Sequence, residues 1–122
     1  MNLKAYNSFC RSLPATAHVV QWGGSHVWKV GGATGKVFAI AAVDEGSDLR
    51  ITFKCSPASY DILKEQPGLQ PAPYLASRGM PWIQRCSPAS MDDAALKDYL
   101  RASHGLAAAN LTRKQRLACG LD

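Results

Sequence analysis

Four short apolar segments between residues 18 and 54 constrain the fold most strongly. They read HVVQW, HVWKV, KVFAIAAV and LRITFK, and their β-branched and aromatic content is typical of strands. Glycine-rich turns or the polar stretch DEGSD separate them, as expected for chain reversals. Because short joints connect antiparallel neighbours most simply, the pattern predicts an antiparallel meander.

The last of these segments also predicts how the sheet packs. Its side chains alternate between an apolar set, Leu49, Ile51 and Phe53, and a polar set, Arg50, Thr52 and Lys54. Successive side chains of a strand point to opposite faces. We therefore expect one sheet face to pack against other elements and the second face to meet solvent.

Helical patterns surround the predicted sheet. Leu3, Tyr6, Phe9 or Cys10, and Leu13 recur at helical spacing before Pro14. A second helix is predicted from Pro57 to about Glu65, and a third begins near Met91. The segment after the third helix either continues it or adds a short helical turn that ends at Gly120. Between them lies a proline-rich loop with extended pieces at residues 74–75 and 82–85. The prediction is one α+β domain over residues 1–122, a two-layer sandwich in the order α-β3/4-α-β2-α.

The string CSPAS occurs twice, at residues 55–59 and 86–90. Ser56 followed by Pro57 is typical of a helix start, because the serine hydroxyl caps and proline suits the first helical position. In the second copy, Ser90 and Asp93 form a capping-box variant, which predicts a helix start at Ser90. These strings are interpreted as two strand-to-helix junctions in preference to a thiol or metal pair of Cys55 and Cys86.

The cysteines and the hydropathy bear on the compartment. Four cysteines lie far apart without CxxC spacing, which favours separate free thiols in a reducing compartment, with disulfides as the alternative. The longest apolar run has seven residues, too few to span a membrane. Polar residues interrupt the N-terminal segment, which excludes a secretory signal. We expect a cytoplasmic protein with no membrane contact.

No catalytic motif is evident. GxSxG, GxxxxGK[ST] and HExxH are absent, and GGATGK at residues 31–36 fits a hairpin turn better than a phosphate loop. His18, His26 and His104 lack metal-ligand spacing. The carboxylates form no acid and base pair, three of them lying in a predicted polar turn, Asp44, Glu45 and Asp48. We expect no enzymatic activity, no metal and no cofactor.

The basic residues are the most informative polar feature. The formal net charge is +5 and the pI is about 9.2, which attracts polyanions without identifying one. Cations that neutralise phosphates and rings that stack on bases are typical of nucleic-acid recognition, although ordinary solvated lysines and arginines give the same composition. The candidate binding residues are Lys29, Lys36, Arg50, Lys54, Arg78, Trp82, Arg113, Lys114 and Arg116.

Ordered motifs along the chain resemble the MmcQ/YjbR family of small bacterial proteins. They are HVWKVGG, GKVFAIAAV, LRITFKCSP, PGLQPAPYLASRGMPWIQ and ASHGLAAANLTRKQRLACGL. The resemblance implies an antiparallel sheet covered by helices, related to frataxin-like and secretion-chaperone-like arrangements, in a family commonly labelled DNA-binding. Lys29, Lys36, Lys54 and Trp82 match family positions. GGATGK lengthens a turn that is often GGK, and His104 stands where a tyrosine often does.

The leading hypothesis is non-enzymatic binding of nucleic acid, most simply DNA, through phosphate contacts with little sequence specificity. The alternative is a protein-interaction or chaperone-like module that receives a peptide or partner subunit on the open sheet face and the loop at residues 67–81. Iron or small-molecule binding by analogy with frataxin-like folds is a third hypothesis, which the net positive charge disfavours. We expect a monomer or weak dimer.

Overall fold

The computed structural model describes residues 1–43 and 49–121. The predicted polar turn containing Asp44, Glu45 and Asp48 lies outside the described residues. The described elements, in chain order, are α1 (Leu3–Ser12), β1 (Thr16–Gln21), β2 (Ser25–Val30), β3 (Lys36–Ala42), β4 (Arg50–Lys54), α2 (Pro57–Leu63), β5 (Leu69–Pro71), a 3-10 turn (Ala76–Arg78), β6 (Trp82–Arg85), α3 (Asp93–Ala109) and α4 (Arg113–Ala118). The chain is an α+β fold, as predicted.

The six strands form one antiparallel sheet in the order β1-β2-β3-β4-β6-β5. The predicted meander of four strands is confirmed, and so is the short strand at residues 82–85. The extended piece predicted at residues 74–75 is wrong, because the additional strand lies earlier, at Leu69–Pro71. Pro73 has no N–H to donate and Tyr74 has a positive φ of 68°, so the chain leaves the sheet before this point.

The helices cover one face of the sheet, which we call the helix face. The main contacts are those of α3 with β3 and β4, and α1 lies against β1. Two aromatic residues of this core have hydrogen-bonded polar ends: Tyr6 donates to the carbonyl of His26 (2.9 Å), and Trp28 Nε1 donates to Asn7 Oδ1 (2.9 Å). Buried aromatic side chains are stabilised in this way when their polar atoms find partners.

Ser103 joins α3 to the centre of the sheet. The register between β2 and β3 shifts after Trp28, so Phe38 has no partner there, which is the pattern of a bulge. Ser103 Oγ donates to the Phe38 carbonyl (2.7 Å) and accepts from the Lys54 N–H (2.9 Å). A fully buried hydroxyl therefore bonds two backbone groups of neighbouring strands.

The two CSPAS strings begin helices differently. Ser56 Oγ accepts from the Ser59 N–H (3.1 Å) and Pro57 is the first residue of α2, which confirms the first predicted start. The second predicted start, at Ser90, is wrong. Asp92 caps α3 instead, accepting from the Ala95 N–H (2.8 Å).

Arg85 explains the later start of α3. Its guanidinium donates to the Met91 carbonyl (3.0 Å) and to Asp93 Oδ1 (3.0 Å), which also accepts from the Met1 amine. The residues before Asp93 are thereby bonded to β6 outside the helix. Arg85 and Trp82 lie on opposite faces of β6, because three positions along a strand place two side chains on opposite faces, and Arg85 is buried on the helix face.

The cysteines are free thiols, as predicted, in the described part of the chain. Cys10 and Cys55 are buried, and burial raises the pKa of the Cys10 thiol to about 12 and that of Cys55 to about 11. Such thiols are unreactive near neutral pH because the thiolate is the nucleophile. Cys55 and Cys86 do not form a disulfide.

Candidate functional site

The sheet face opposite the helix face carries a groove, which we call the open-face groove. It consists of two adjoining pockets of about 370 Å³ and about 710 Å³ that share Trp22, Ile40 and Leu75. Strands β3, β4 and β6 contribute to both pockets, and the segment between β5 and β6 contributes Leu75 and Met80. The C-terminal end of α3 contributes Ala107 and Asn110 to the smaller pocket, which therefore lies at the edge of the open face. The groove lies where the alternation of β4 predicts a second, polar sheet face.

The alternation of β4 is confirmed, but its outer face is not simply solvated. Ile51 and Phe53 are fully buried, whereas Arg50 and Lys54 are half-buried. Thr52, expected in solvent, is only 6% exposed. Its cross-strand partner on β6, Gln84, donates a hydrogen bond to its hydroxyl.

A row of polar side chains crosses the floor of the groove. Gln70 Nε2 donates to Gln84 Oε1 (2.6 Å), and Gln84 Nε2 donates to Thr52 Oγ1 (3.5 Å). Gln84 and Thr52 are both buried. Because these groups bond one another, the floor offers a polar surface that is already satisfied within the protein.

Four of the predicted cations line the open-face groove. Lys36 and Lys54 lie in the smaller pocket, and Arg50 and Arg78 lie in the larger one. None of the described lining residues is Asp or Glu. The groove therefore presents positive charge from β3, β4 and the 3-10 turn at one place, which sequence spacing alone does not reveal.

Trp82 also lines the groove, in the smaller pocket beside Lys54. The two are cross-strand partners on β6 and β4. The indole is only 5% exposed, and its Nε1 makes no hydrogen bond with any described residue. Trp82 thus belongs to the wall or floor of the pocket, and it has little free ring surface for stacking.

The other four predicted cations do not line these pockets. Lys29 Nζ donates to the Ala33 carbonyl (3.3 Å) in the hairpin turn. Arg113 and Lys114 are exposed on α4, and the guanidinium of Arg116 donates to the Leu111 carbonyl (3.0 Å). The nine candidate residues therefore separate into a groove set, which includes Trp82, and a set at the hairpin turn and α4.

Two exposed aromatic residues at the groove were not among the residues predicted to contact nucleic acid, although Tyr74 lies in the loop of the protein-interaction alternative. Trp22 is 63% exposed and Tyr74 is 86% exposed, and both line the larger pocket. Both have left-handed backbone conformations, with φ of 53° and 68°. A tryptophan beside the glycine pair of a hairpin was the available signal for Trp22, since turns seldom place a large apolar ring there.

The structure also brings together two histidines that sequence spacing left apart. His18 Nε2 and His26 Nδ1 lie 3.0 Å apart on β1 and β2. The His18 ring stacks on Trp28, and the Arg11 guanidinium lies over the same indole. Burial, followed by the nearby charges of His26 and Arg11, lowers the pKa of His18. Hairpin geometry makes these histidines diagonal neighbours.

The third histidine is a packing residue. His104 is buried, and the edge of its ring contacts Phe38. Its Nε2 lies 2.8 Å from the Pro14 carbonyl. Because a carbonyl only accepts, Nε2 carries the proton, and His104 connects α3 to the end of α1.

No group of three or more His, Cys, Asp or Glu side chains among the described residues is arranged to hold a metal ion. No helix in the described ranges is long and apolar enough to cross a membrane.

The fold and the groove define a small α+β protein with an antiparallel sheet, helices on one face and a cationic groove on the other. The YjbR family model matches residues 11–106. This chain belongs to the YjbR family, which confirms the resemblance seen in its motifs.

Two solved structures share the fold. A Deinococcus radiodurans protein with a DUF419 domain has a TM-score of 0.84 and 21% identity, over 99% of this chain and 89% of its own. A Pseudomonas syringae protein has a TM-score of 0.70 and 16% identity, over 88% of this chain and 99% of its own. No curated protein matches the sequence.

Proposed function

We propose that this protein binds nucleic acid, most simply DNA, through phosphate contacts with little sequence specificity and without catalysis. The observation that carries the proposal is the convergence of Lys36, Lys54, Arg50 and Arg78 on one groove whose described lining contains no carboxylate. Each phosphate that a cation neutralises releases condensed counterions, and cations that line one groove can contact phosphates of the same strand together. A cytoplasmic location fits the same proposal.

Low sequence specificity follows from the kind of side chains in the groove. The sheet floor is polar but internally bonded through Gln84. Reading base edges requires donors and acceptors presented to a groove of the duplex. The lysines and arginines instead provide contacts that depend on charge and are the same for every sequence.

Salt dependence tests the proposal most directly. Fluorescence anisotropy with labelled oligonucleotides should show an affinity that falls steeply between about 50 and 200 mM salt. Lys54→Gln and Arg78→Gln should each weaken binding and reduce the slope of log K against log salt by about 0.7–0.9. Lys4→Gln, which removes an exposed cation on α1, is the matched control and should change neither.

The same experiment can refute the proposal. Absence of any DNA or RNA complex at low salt and tens of micromolar protein would exclude it. If Lys4→Gln weakened binding as much as Lys54→Gln, overall charge would account for binding and the groove would not. Arg113→Gln and Lys114→Gln show whether α4 adds a second contact surface.

The second candidate is a protein-interaction module. It is favoured by the exposed rings of Trp22 and Tyr74 beside Met80, which is 39% exposed, since apolar surface at a groove is typical of protein contacts. A peptide bound through such contacts would keep its affinity at high salt. Binding of apolar peptides that is unaffected by salt, together with no binding of oligonucleotides, would favour this candidate.

A further inference from the structure

We infer that the occupant of the open-face groove is single-stranded nucleic acid and that Trp22 and Tyr74 are its base-stacking residues. This inference rests on the proposed function and narrows it to a substrate class. It assigns the bases to two aromatic rings and the phosphates to the cations that line the same groove. Neither ring belongs to the residues predicted from sequence to contact nucleic acid.

The backbone at these two positions is the first support. Trp22 and Tyr74 have φ of 53° and 68°, a region that bulky residues rarely adopt. Glycine or asparagine adopts it with less strain and is the usual choice in such turns. Strained conformations of this kind concentrate at binding sites, where the side chain has a use that offsets the strain.

The surroundings of the two rings are the second support. Trp22 and Tyr74 are exposed by 63% and 86%, and both line the pocket of about 710 Å³. Among the described residues, neither ring stacks on another aromatic ring or lies under a cation. By contrast, Trp28 stacks on His18 and is buried in the core. The two groove rings therefore have faces open to a ligand.

Charge decides between the possible occupants. Arg50 and Arg78 line the same pocket as the two rings, and the described lining has no carboxylate. A ligand with planar rings and regularly spaced negative charges matches this surface better than an apolar peptide does. In a duplex the bases already stack on one another, so only a single strand can offer base faces to Trp22 and Tyr74.

Three labelled ligands test the inference: an oligothymidine, an abasic strand of equal length, and a duplex. Wild-type protein should bind the oligothymidine most tightly. Trp22→Leu and Tyr74→Leu should each weaken that binding about 5- to 150-fold and leave the salt slope and the affinity for the abasic strand unchanged. Trp22→Phe and Tyr74→Phe, which retain a ring, should keep most of the affinity.

Intrinsic fluorescence provides a second measurement. Trp22 is exposed, whereas Trp28 and Trp82 are buried, so a base that stacks on Trp22 should quench the exposed part of the emission. Oligothymidine should therefore quench wild-type fluorescence, and Trp22→Phe should abolish that quenching. Circular dichroism of each variant confirms that it is folded.

The outcomes separate this inference from the proposed function. If the leucine variants bind oligothymidine like wild type while Lys54→Gln weakens binding, the phosphate contacts stand and the stacking role is wrong. Equal wild-type affinity for the abasic strand, or tighter binding of the duplex, also overturns the stacking role. If wild type binds none of the three ligands at low salt, both proposals fail.

Discussion

Replacing Tyr74 by glycine should give a more stable protein than replacing it by alanine. Both variants remove the ring, but only alanine keeps the Cβ atom that disfavours a φ of 68°. At most exposed positions the order is reversed, because glycine loses more conformational freedom on folding. The sign of the difference therefore reports the backbone strain at Tyr74.

The magnitude follows from two opposing contributions. Relief of the left-handed conformation contributes about 1–2 kcal/mol in favour of glycine. The greater freedom of the unfolded glycine chain opposes this by about 0.4–1 kcal/mol. The net difference in the free energy of unfolding should be about 0.5–1 kcal/mol in favour of Tyr74→Gly. Loss of the ring affects both variants equally and only slightly, because Tyr74 is 86% exposed.

Equilibrium unfolding in urea, followed by circular dichroism, measures this difference. The midpoint should be higher for Tyr74→Gly than for Tyr74→Ala at an unchanged m-value. Ala102→Gly, at an exposed position of α3, is the matched control and should lower the free energy of unfolding by about 1 kcal/mol. If Tyr74→Ala proved as stable as Tyr74→Gly, the strain at this position would be refuted, and the stacking role would lose its first support.

Three further predictions concern the helix face. Ser103→Ala should lower the free energy of unfolding, measured in urea, by about 2–3 kcal/mol, because it leaves two buried backbone groups without their hydroxyl partner. Ser103→Thr keeps a hydroxyl and should retain part of this stability. If the alanine variant is as stable as wild type, this role of the hydroxyl is refuted. Asp93→Asn should cost about 1–2 kcal/mol, less than a fully buried pair, because Arg85 is 3% exposed but Asp93 is half-exposed. The hydrogen bond from the Met1 amine, together with the nearby Arg85, lowers the pKa of Asp93. The stability that Asp93 contributes should therefore be present above about pH 4 and lost as the pH falls through its folded-state pKa. If Asp93→Asn loses stability with falling pH in the same way as wild type, this prediction is contradicted. Because the pKa of His18 is lowered in the folded protein, the unfolded chain takes up a proton at a higher pH than the folded protein does, and stability should fall as the pH drops below about 6.5. His18→Gln should make that fall shallower in thermal unfolding measured between pH 7 and 5. An unchanged profile would assign the loss of stability to other groups, such as His26.

The candidate site could be predicted only in part. The cations of β3 and β4 were found because they are basic residues in strand patterns, but nothing local indicates that Arg78 comes from a distant loop to the same groove. The pairing of Arg85 with Asp93 has no local signal either, because the two residues lie eight positions apart across a strand-to-helix junction. Trp22 was missed, and Tyr74 was included only in the loop of the protein-interaction alternative, because composition records a ring without its exposure.

The sequence by itself determined the four-strand meander, the strand at residues 82–85, the presence of the first three helices and the helix start at Ser56. These depend on side-chain alternation, helical periodicity and capping, which act between residues a few positions apart. Only the tertiary structure decided which cations meet at the groove, that Arg85 is buried and that two aromatic rings remain open to a ligand. These depend on the strand order β4-β6-β5 and on the path of the segment between β5 and β6, which bring together residues that are distant in the chain and that no local pattern relates.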